Sequence, residues 1–336
     1  MKKILVTGGS GFIGSNLVNF LLKKKKYVVN IDKLSNFSTP EKFKPKIKNY
    51  KFKHFDLKDK KKLGKVLSSE NFDTIVHLAA ESHVDRSIDS PRKFFLDNII
   101  SNTNFYDTVK TLVDKKKIKK PRIIHISTDE VYGSVPFGAS VEQSKIFTSS
   151  PYSGSKAACE NFAQAYMETF NLKICVLRIT NNYGPYQFPE KFLPKSILRI
   201  SYKKKIPLYG QGKNIREWIY VTDTCEAIYK VIQNFKNKET FNVGSSHRFS
   251  NISVLKILFK KLKYPLKNIE FVKDRPGHDL RYALNSTKFK KAFNWKPKVN
   301  LTDGINKTII WYKKNKNWLK EINKNYKDKR LGKIEI

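Results

Sequence analysis

The segment "KKILVTGGSGFIGSNLVNFLLKKK" at 2–25 constrains the fold more than any other. An apolar strand runs straight into a glycine turn. The turn opens a helix whose Ile13, Leu17, Phe20 and Leu21 share one face. Gly8, Gly11 and Gly14 are spaced G-x-x-G-x-x-G. Glycine allows the tight turn and lets the backbone and helix N-terminus approach a pyrophosphate. Such a motif is weak alone, but the strand–turn–helix context it requires is present.

The unit then repeats. "YVVNID", "YKFKHFDL", "DTIVHLAA", "RIIHIS" and "LKICVLRI" read as further strands, with helices between them, notably at 92–114 and 152–170. Alternating strands and helices predict an α/β fold with a doubly wound, parallel sheet covered on both faces. Beyond residue 180 the pattern changes to segments rich in Gly, Pro, Asn and aromatics, with helices at 252–263 and 301–314. The reading is a Rossmann domain at 1–180, to which some later segments return, and a smaller α+β substrate lobe at 181–330. The end "KNYKDKRLGKIEI" reads as loosely held.

Asp32 ends the second strand, about 20 residues after the glycines, where an acid can bind both ribose hydroxyls and repel a 2′-phosphate. That favours NAD over NADP. Asp56 follows the third strand and is either an adenine contact or a turn acid. Small Ala79 and Ala80 let the chain pass close to the cofactor.

The net charge of +38 raises the question of nucleic acid. The excess is lysine, spread in runs at 23–26, 58–62, 115–120 and 203–205, where helices end or loops begin. Arginine, the better fork for phosphate, is sparse. A solvated lysine surface is expected, with no nucleic-acid partner. Its field favours anionic small substrates. No apolar run reaches the roughly 18–20 residues of a membrane span, and the start has no apolar region of signal-peptide length. Cys159, Cys175 and Cys225 lie far apart without metal-ligand spacing. They read as buried thiols in a reducing, cytoplasmic compartment, and no metal is expected.

Two motifs bear on chemistry. "STDEVYG" places Thr128, Asp129 and Glu130 where the fifth strand ends. The acids are either a surface turn or an acid–base pair. "PYSGSKAACE" places Tyr152 and Lys156 four apart, on one helix face. An ammonium beside a phenol stabilises phenolate and lowers its pKa, which suits a general base for a sugar hydroxyl. His77 and His125, inside strands, read as core residues.

With these motifs the sequence resembles the extended short-chain dehydrogenase/reductase family, and within it the nucleotide-sugar 4,6-dehydratases. The likeness continues through "NNYGPYQFPEKFLP", "YGQGKNIREWIYV", "FNVG" and "DRPGHDLRYA" and covers nearly the whole chain. It implies that Tyr152 takes the O4 proton of an NDP-glucose while C4 is oxidised by a tightly held NAD. Thr128 holds O4, and Lys156 supports the phenolate and the nicotinamide ribose. Glu130 removes the C5 proton, Asp129 protonates the departing C6 hydroxyl, and hydride returns to C6. The resemblance makes dTDP-glucose the first substrate choice, with UDP-glucose dehydration or 4-epimerisation as alternatives. A remoter one is a non-catalytic platform for NAD or nucleic acid.

By the same resemblance Phe12, Ile13, Leu57 and Ser82 join the cofactor set. Ser82, Asn181, Asn182, Lys191, Asn242, Arg216, Arg275 and His278 contact sugar, phosphates or ribose, while Pro207 and Tyr209 wall the base. A guanidinium fork suits a diphosphate. A homodimer through the helices at 92–114 and 152–170 is implied too. Two positions depart from the pattern: Asp97 stands where threonine is usual, and "KLSNFSTPEKF" lacks the usual Tyr-Ala-Gly-Asn.

Overall fold

The computed structural model of the chain describes residues 2–41 and 47–324, so the terminal stretch from 325 onward lies outside the described residues. The first half runs β1 (Lys3–Thr7), α1 (Phe12–Lys23), β2 (Tyr27–Asp32), β3 (Tyr50–His54), α2 (Lys60–Ser69), β4 (Thr74–His77), α3 (Val84–Asp89), α4 (Pro91–Asp114), β5 (Arg122–Thr128), α5 (Pro151–Phe170) and β6 (Lys173–Ile179). The second half continues with β7 (Asn181–Tyr183), α6 (Phe192–Ser201), β8 (Ile206–Tyr209), β9 (Ile215–Tyr220), α7 (Val221–Gln233) and β10 (Glu239–Val243). It closes with β11 (Arg248–Ser250), α8 (Asn251–Leu262), β12 (Ile269–Val272), α9 (Thr287–Phe293), α10 (Leu301–Lys314) and α11 (Lys316–Asn323).

Seven strands form one parallel sheet in the order β3-β2-β1-β4-β5-β6-β10. The strand sequences explain its burial. In β1, Ile4 and Val6 point into the cluster made with Leu17 and Leu21 of α1 and Ile228 and Val231 of α7. Leu5 points the other way, toward Leu63 of α2, Phe105 of α4 and Met167 of α5. Side chains alternate across a strand, so a sheet covered on both faces needs the unbroken apolar run seen in β1. Each such fully buried side chain contributes about 1.5–3 kcal/mol.

β10 comes from the stretch assigned by sequence to the second lobe, and α7 just before it packs on α1. The remaining strands form a three-stranded sheet, β11-β9-β7, and a β12-β8 pair. These pack with α6, α8, α10 and α11 around Tyr183, Trp218 and Trp318.

The lysine runs fall at the end of α1, at the entry to α2 and after α4 and α6, mostly exposed. Among the described residues no helix is long and apolar enough to cross a membrane. His77 and His125 are buried; Thr7 Oγ1 lies 2.8 Å from His77 Nδ1, and Tyr106 Oη lies 2.9 Å from His125 Nδ1. Burial pushes His77 down to about 3.

Candidate active site

The strand order reverses between β1 and β4, and ligands of open parallel sheets sit at the carboxyl ends of the strands at such a point. A cleft opens there, about 1680 Å³ including its mouth. One end is built by the glycine turn. Gly8 has φ +72°, and a Cβ on it would stand 2.8 Å from the Ala79 backbone. A Cβ on Gly14 would stand 2.1 Å from the Gly8 carbonyl oxygen. Gly9, absent from the spacing argument, is equally tight: its Cβ would meet Asn30 Oδ1 at 2.3 Å. Gly11 caps α1 with no side-chain hydrogen bond, and no acid lies in the first turn. This cradle holds bare backbone at a helix N-terminus, as a pyrophosphate requires.

Asp32 ends β2 beside it. Its carboxylate accepts from Ser10 N–H at 2.9 Å and Leu34 N–H at 2.8 Å, which fixes it facing the cleft. Phe12, Ile13, Asp56, Leu57, Ala79 and Ala80 line the same cleft, as does Ser82, whose carbonyl accepts from Lys191 Nζ at 2.6 Å. Asp97, at the departed threonine position, also lines it, ion-paired with Lys58 and 3.9 Å from Lys33.

At the other end Thr128, Asp129, Glu130, Tyr152, Lys156, Asn181, Asn182 and Lys191 come together. Pro151 at the first position of α5 and a capping box between Ser150 and Ser153 set the start of the helix that carries Tyr152 and Lys156. Asp129 and Glu130 follow β5 in a single 3-10 turn, with Asp129 only 3 % exposed. They do not form a surface turn. Burial first, then the neighbouring Glu130, pushes the Asp129 carboxyl up to about 8. Burial also raises Glu130, but Arg275, Arg216 and Lys191 oppose it with positive charge. Both carboxyls are raised on balance: the acidic neighbour adds to burial at Asp129, while three cations partly offset burial at Glu130. An acid and a base side by side need surroundings that differ in this way.

Electrostatics at Tyr152 differ from the expectation. Burial drives the phenol well above its ordinary value, Glu130 adds to the rise, and the Thr128 hydroxyl opposes it. Lys156 points its ammonium at the Ile126 carbonyl, 2.7 Å away, and burial lowers its own pKa. Desolvation outweighs the lysine here, so the side chains alone do not produce a phenolate.

Beyond Glu130, and outside the residues that line the cleft, lies a second group. Arg275 pairs with Asp85 of α3, whose other oxygen accepts from the Tyr209 hydroxyl at 3.1 Å. Tyr209 and His278 meet edge to face with centroids 6.0 Å apart. His278 Nδ1 lies 2.6 Å from Asp274 Oδ1, and burial lowers its pKa to about 4. The Arg216 guanidinium donates to the Ile215 and Asp279 carbonyls and lies over Tyr282 at 4.2 Å. Pro207 sits half-buried in β8, two residues before Tyr209 and outside the cleft wall.

Asn242 lies inside the main sheet. It is fully buried in β10, outside the cleft wall, with Oδ1 accepting from Tyr132 Oη at 2.8 Å and Nδ2 donating to Ser140 and Asn285 carbonyls. Its amide ties β10 to the segments at Tyr132, Ser140 and Asn285 and has no donor left for a sugar. Asn182 is similarly engaged: it donates to the Thr180 carbonyl and accepts from Thr224. Asn181 keeps a buried Oδ1 without a partner.

Four residues escaped the sequence reading: Asp85, Thr180, Glu217 and Tyr282. The Tyr282 hydroxyl is 3.5 Å from Glu130 Oε2 and donates to Asp279 at 2.7 Å. Thr180 Oγ1 is 2.8 Å from Asp129 Oδ2. A hydroxyl just past β6, beside the Thr128 that ends β5, was the available signal for Thr180.

Three comparisons bear on this site. The protein family described as GDP-mannose 4,6 dehydratase matches residues 5–308. A probable dTDP-glucose 4,6-dehydratase of Sinorhizobium fredii is 39% identical, over 99% of each chain. dTDP-glucose 4,6-dehydratase 1 of Escherichia coli K12 is 39% identical over 95% of each. Among solved structures, a dTDP-glucose 4,6-dehydratase from Streptomyces venezuelae with NAD and TYD bound superposes with a TM-score of 0.90. It is 35% identical and covers 95% of this chain and 99% of its own.

Proposed function

The chain belongs to the GDP-mannose 4,6 dehydratase family, among the extended short-chain dehydrogenase/reductases, and from that premise we propose that it is an NAD-dependent nucleotide-sugar 4,6-dehydratase. Its reaction takes dTDP-glucose to dTDP-4-keto-6-deoxyglucose and water. The observation that carries this reading over a 4-epimerase is the acid pair turned into the cleft at the end of β5, with Asp129 buried against Thr180 and Glu130 facing the Tyr282 hydroxyl. Epimerisation at C4 removes no water and has no use for such a pair.

The residues present fit NAD. The cradle of Gly8, Gly11 and Gly14 would hold its pyrophosphate, Asp32 its ribose hydroxyls, and the wall of Asp56, Leu57, Ala79, Ala80 and Ser82 the rest. Bound there, NAD supplies the hydride acceptor at C4, the donor at C6, and a positive charge that favours phenolate in a buried site. The chain's own groups move the protons. Thr128 Oγ1 orients the sugar O4, and Tyr152 Oη takes its proton. Glu130 removes the C5 proton that the C4 ketone has acidified. Asp129, whose pKa burial raises, gives its proton to the departing C6 hydroxyl. Glu130 then returns its proton to C5, and the cycle closes when Tyr152 releases the O4 proton and Asp129 regains one through the open cleft. Arg216 and Arg275 supply the charge that a diphosphate calls for.

The test is mass spectrometry of the protein with trace NAD and, in turn, dTDP-glucose, UDP-glucose, CDP-glucose and GDP-mannose. The expected result is loss of one water from dTDP-glucose. Loss from UDP-glucose alone would keep the chemistry and change the base pocket. A new epimer at unchanged mass would sink the reading.

Two further points belong to the same proposal. Phe95, Leu96 and Ile100 on α4 and Phe162 and Phe170 on α5 are exposed large apolar residues on two helices that pack together. They support a homodimer through that face. Sedimentation equilibrium should give a dimer for the parent and a monomer for the Leu96→Glu/Ile100→Glu variant; a monomeric parent would remove the dimer. Three free, buried cysteines fit a reducing cytoplasm, which cell fractionation tests.

A further inference from the structure

The proton count around Thr180 goes further. Its Oγ1 lies 2.8 Å from Asp129 Oδ2 and 2.9 Å from the backbone carbonyl oxygen of Glu217 in β9. A threonine hydroxyl carries one proton, and a carbonyl has none to give. If Asp129 were ionised, both neighbours would be acceptors and one of the two contacts would lack a proton. If Asp129 is neutral, its own O–H donates to Thr180 and Thr180 donates to Glu217. Both contacts are then filled in one direction. The other carboxyl oxygen, Oδ1, still accepts from Thr128 Oγ1 at 3.2 Å. Asp129 and Thr180 are each 3 % exposed.

We infer that Thr180 is a positioning residue: anchored on the Glu217 carbonyl, it accepts the Asp129 proton and keeps the acid loaded between turnovers. This rests on the reading of Asp129 as the proton donor. A hydroxyl that donated to Asp129 would act the other way and favour the carboxylate. The one-proton count argues against that, because donation toward Asp129 leaves the Glu217 carbonyl contact empty. Other groups face the same carboxyl. Glu130 follows it in the chain, Glu217 and Arg216 approach from β9, and Tyr152 approaches from α5. The two glutamates act in the same direction as burial, whereas the arginine opposes them. Thr180 donating to Asp129 would lower its pKa, whereas the reversed bond inferred from the proton count raises it.

The experiment titrates the carboxyl itself. Infrared difference spectra of the full chain against Asp129→Asn isolate the C=O stretch of the protonated acid. In the parent that band should vanish as pH rises through the raised pKa of Asp129. In Thr180→Val the midpoint should move down by about one pH unit, roughly tenfold in the ionisation constant. Thr180→Ser should restore it. Thr180→Ala carries the same expectation as valine if the valine chain does not fold. Activity on dTDP-glucose needs the acid protonated, so the alkaline limb of kcat should move down by the same amount. A valine or alanine midpoint that stays in place, or moves up, overturns the inference. If the band shifts as expected but the parent releases no water from any sugar nucleotide, the proposed function fails and the Thr180 relay stands.

Discussion

Tyr152→Phe should lower kcat for water loss by about 10²–10⁴-fold, the usual range for removing a general acid or base. Substrate binding should remain. The phenol is nearly buried at the end of a cleft whose polar and charged groups for the nucleotide lie elsewhere, so the ring still packs and only the proton acceptor is lost. The stage at which the reaction stops is the informative readout. Quenching with borodeuteride labels any ketone formed at C4, and mass spectrometry then counts deuterium. Tyr152→Phe should show neither a labelled C4 nor a lost water. A labelled C4 at the parental rate would move the first proton transfer to another group.

Glu130→Gln should fail at a different point. The amide is nearly the same size and sits among Arg216, Arg275 and Lys191, but it cannot take a proton from C5. C4 oxidation should persist, so borodeuteride should label a hexose that has kept its C6 oxygen. Water loss should fall by about 10²–10⁴-fold. Removing a negative charge also relieves Tyr152, whose pKa Glu130 helps to raise. The first step should therefore not slow as it does in Tyr152→Phe. Elimination by Glu130→Gln at the parental rate would assign the base to another residue. The two variants together separate oxidation from elimination.

Much of this molecule is legible in its sequence, for local reasons. Ile4–Val6 is an unbroken apolar run, and Val28–Ile31 and Ile123–Ile126 are apolar but for the buried Asn30 and His125, because both sheet faces are covered. The glycine turn and Asp32 lie within about 25 residues of each other, so spacing alone places them together. Thr128, Asp129 and Glu130 are consecutive, and Tyr152 and Lys156 share a helix face. The less legible residues are joined only by tertiary pairing. Thr180 reaches Asp129 because β6 lies beside β5 and β9 comes from the second lobe. Asp85 meets Arg275 across 190 positions. Asn242 falls in a motif shared with the family, yet burial inside β10 commits its amide to neighbouring chain segments. The Tyr152–Lys156 spacing was legible, but the sign of the net effect on the phenol was not, since desolvation depends on how completely the cleft walls enclose it.

The return of β10 to the main sheet limits how such a protein can be taken apart. A cut at residue 180 separates β6 from its parallel neighbour and strips α7 from α1. The amino-terminal fragment would carry a raw sheet edge and an uncovered apolar helix face, the two features that favour aggregation. The molecule is therefore not two modules joined by a linker. A graft that exchanged everything after 180 with a relative would have to bring a compatible edge strand and helix with it. New substrate specificity is more simply reached through the segments that leave the sheet and come back, such as 181–220 and 244–286, than by wholesale recombination of halves.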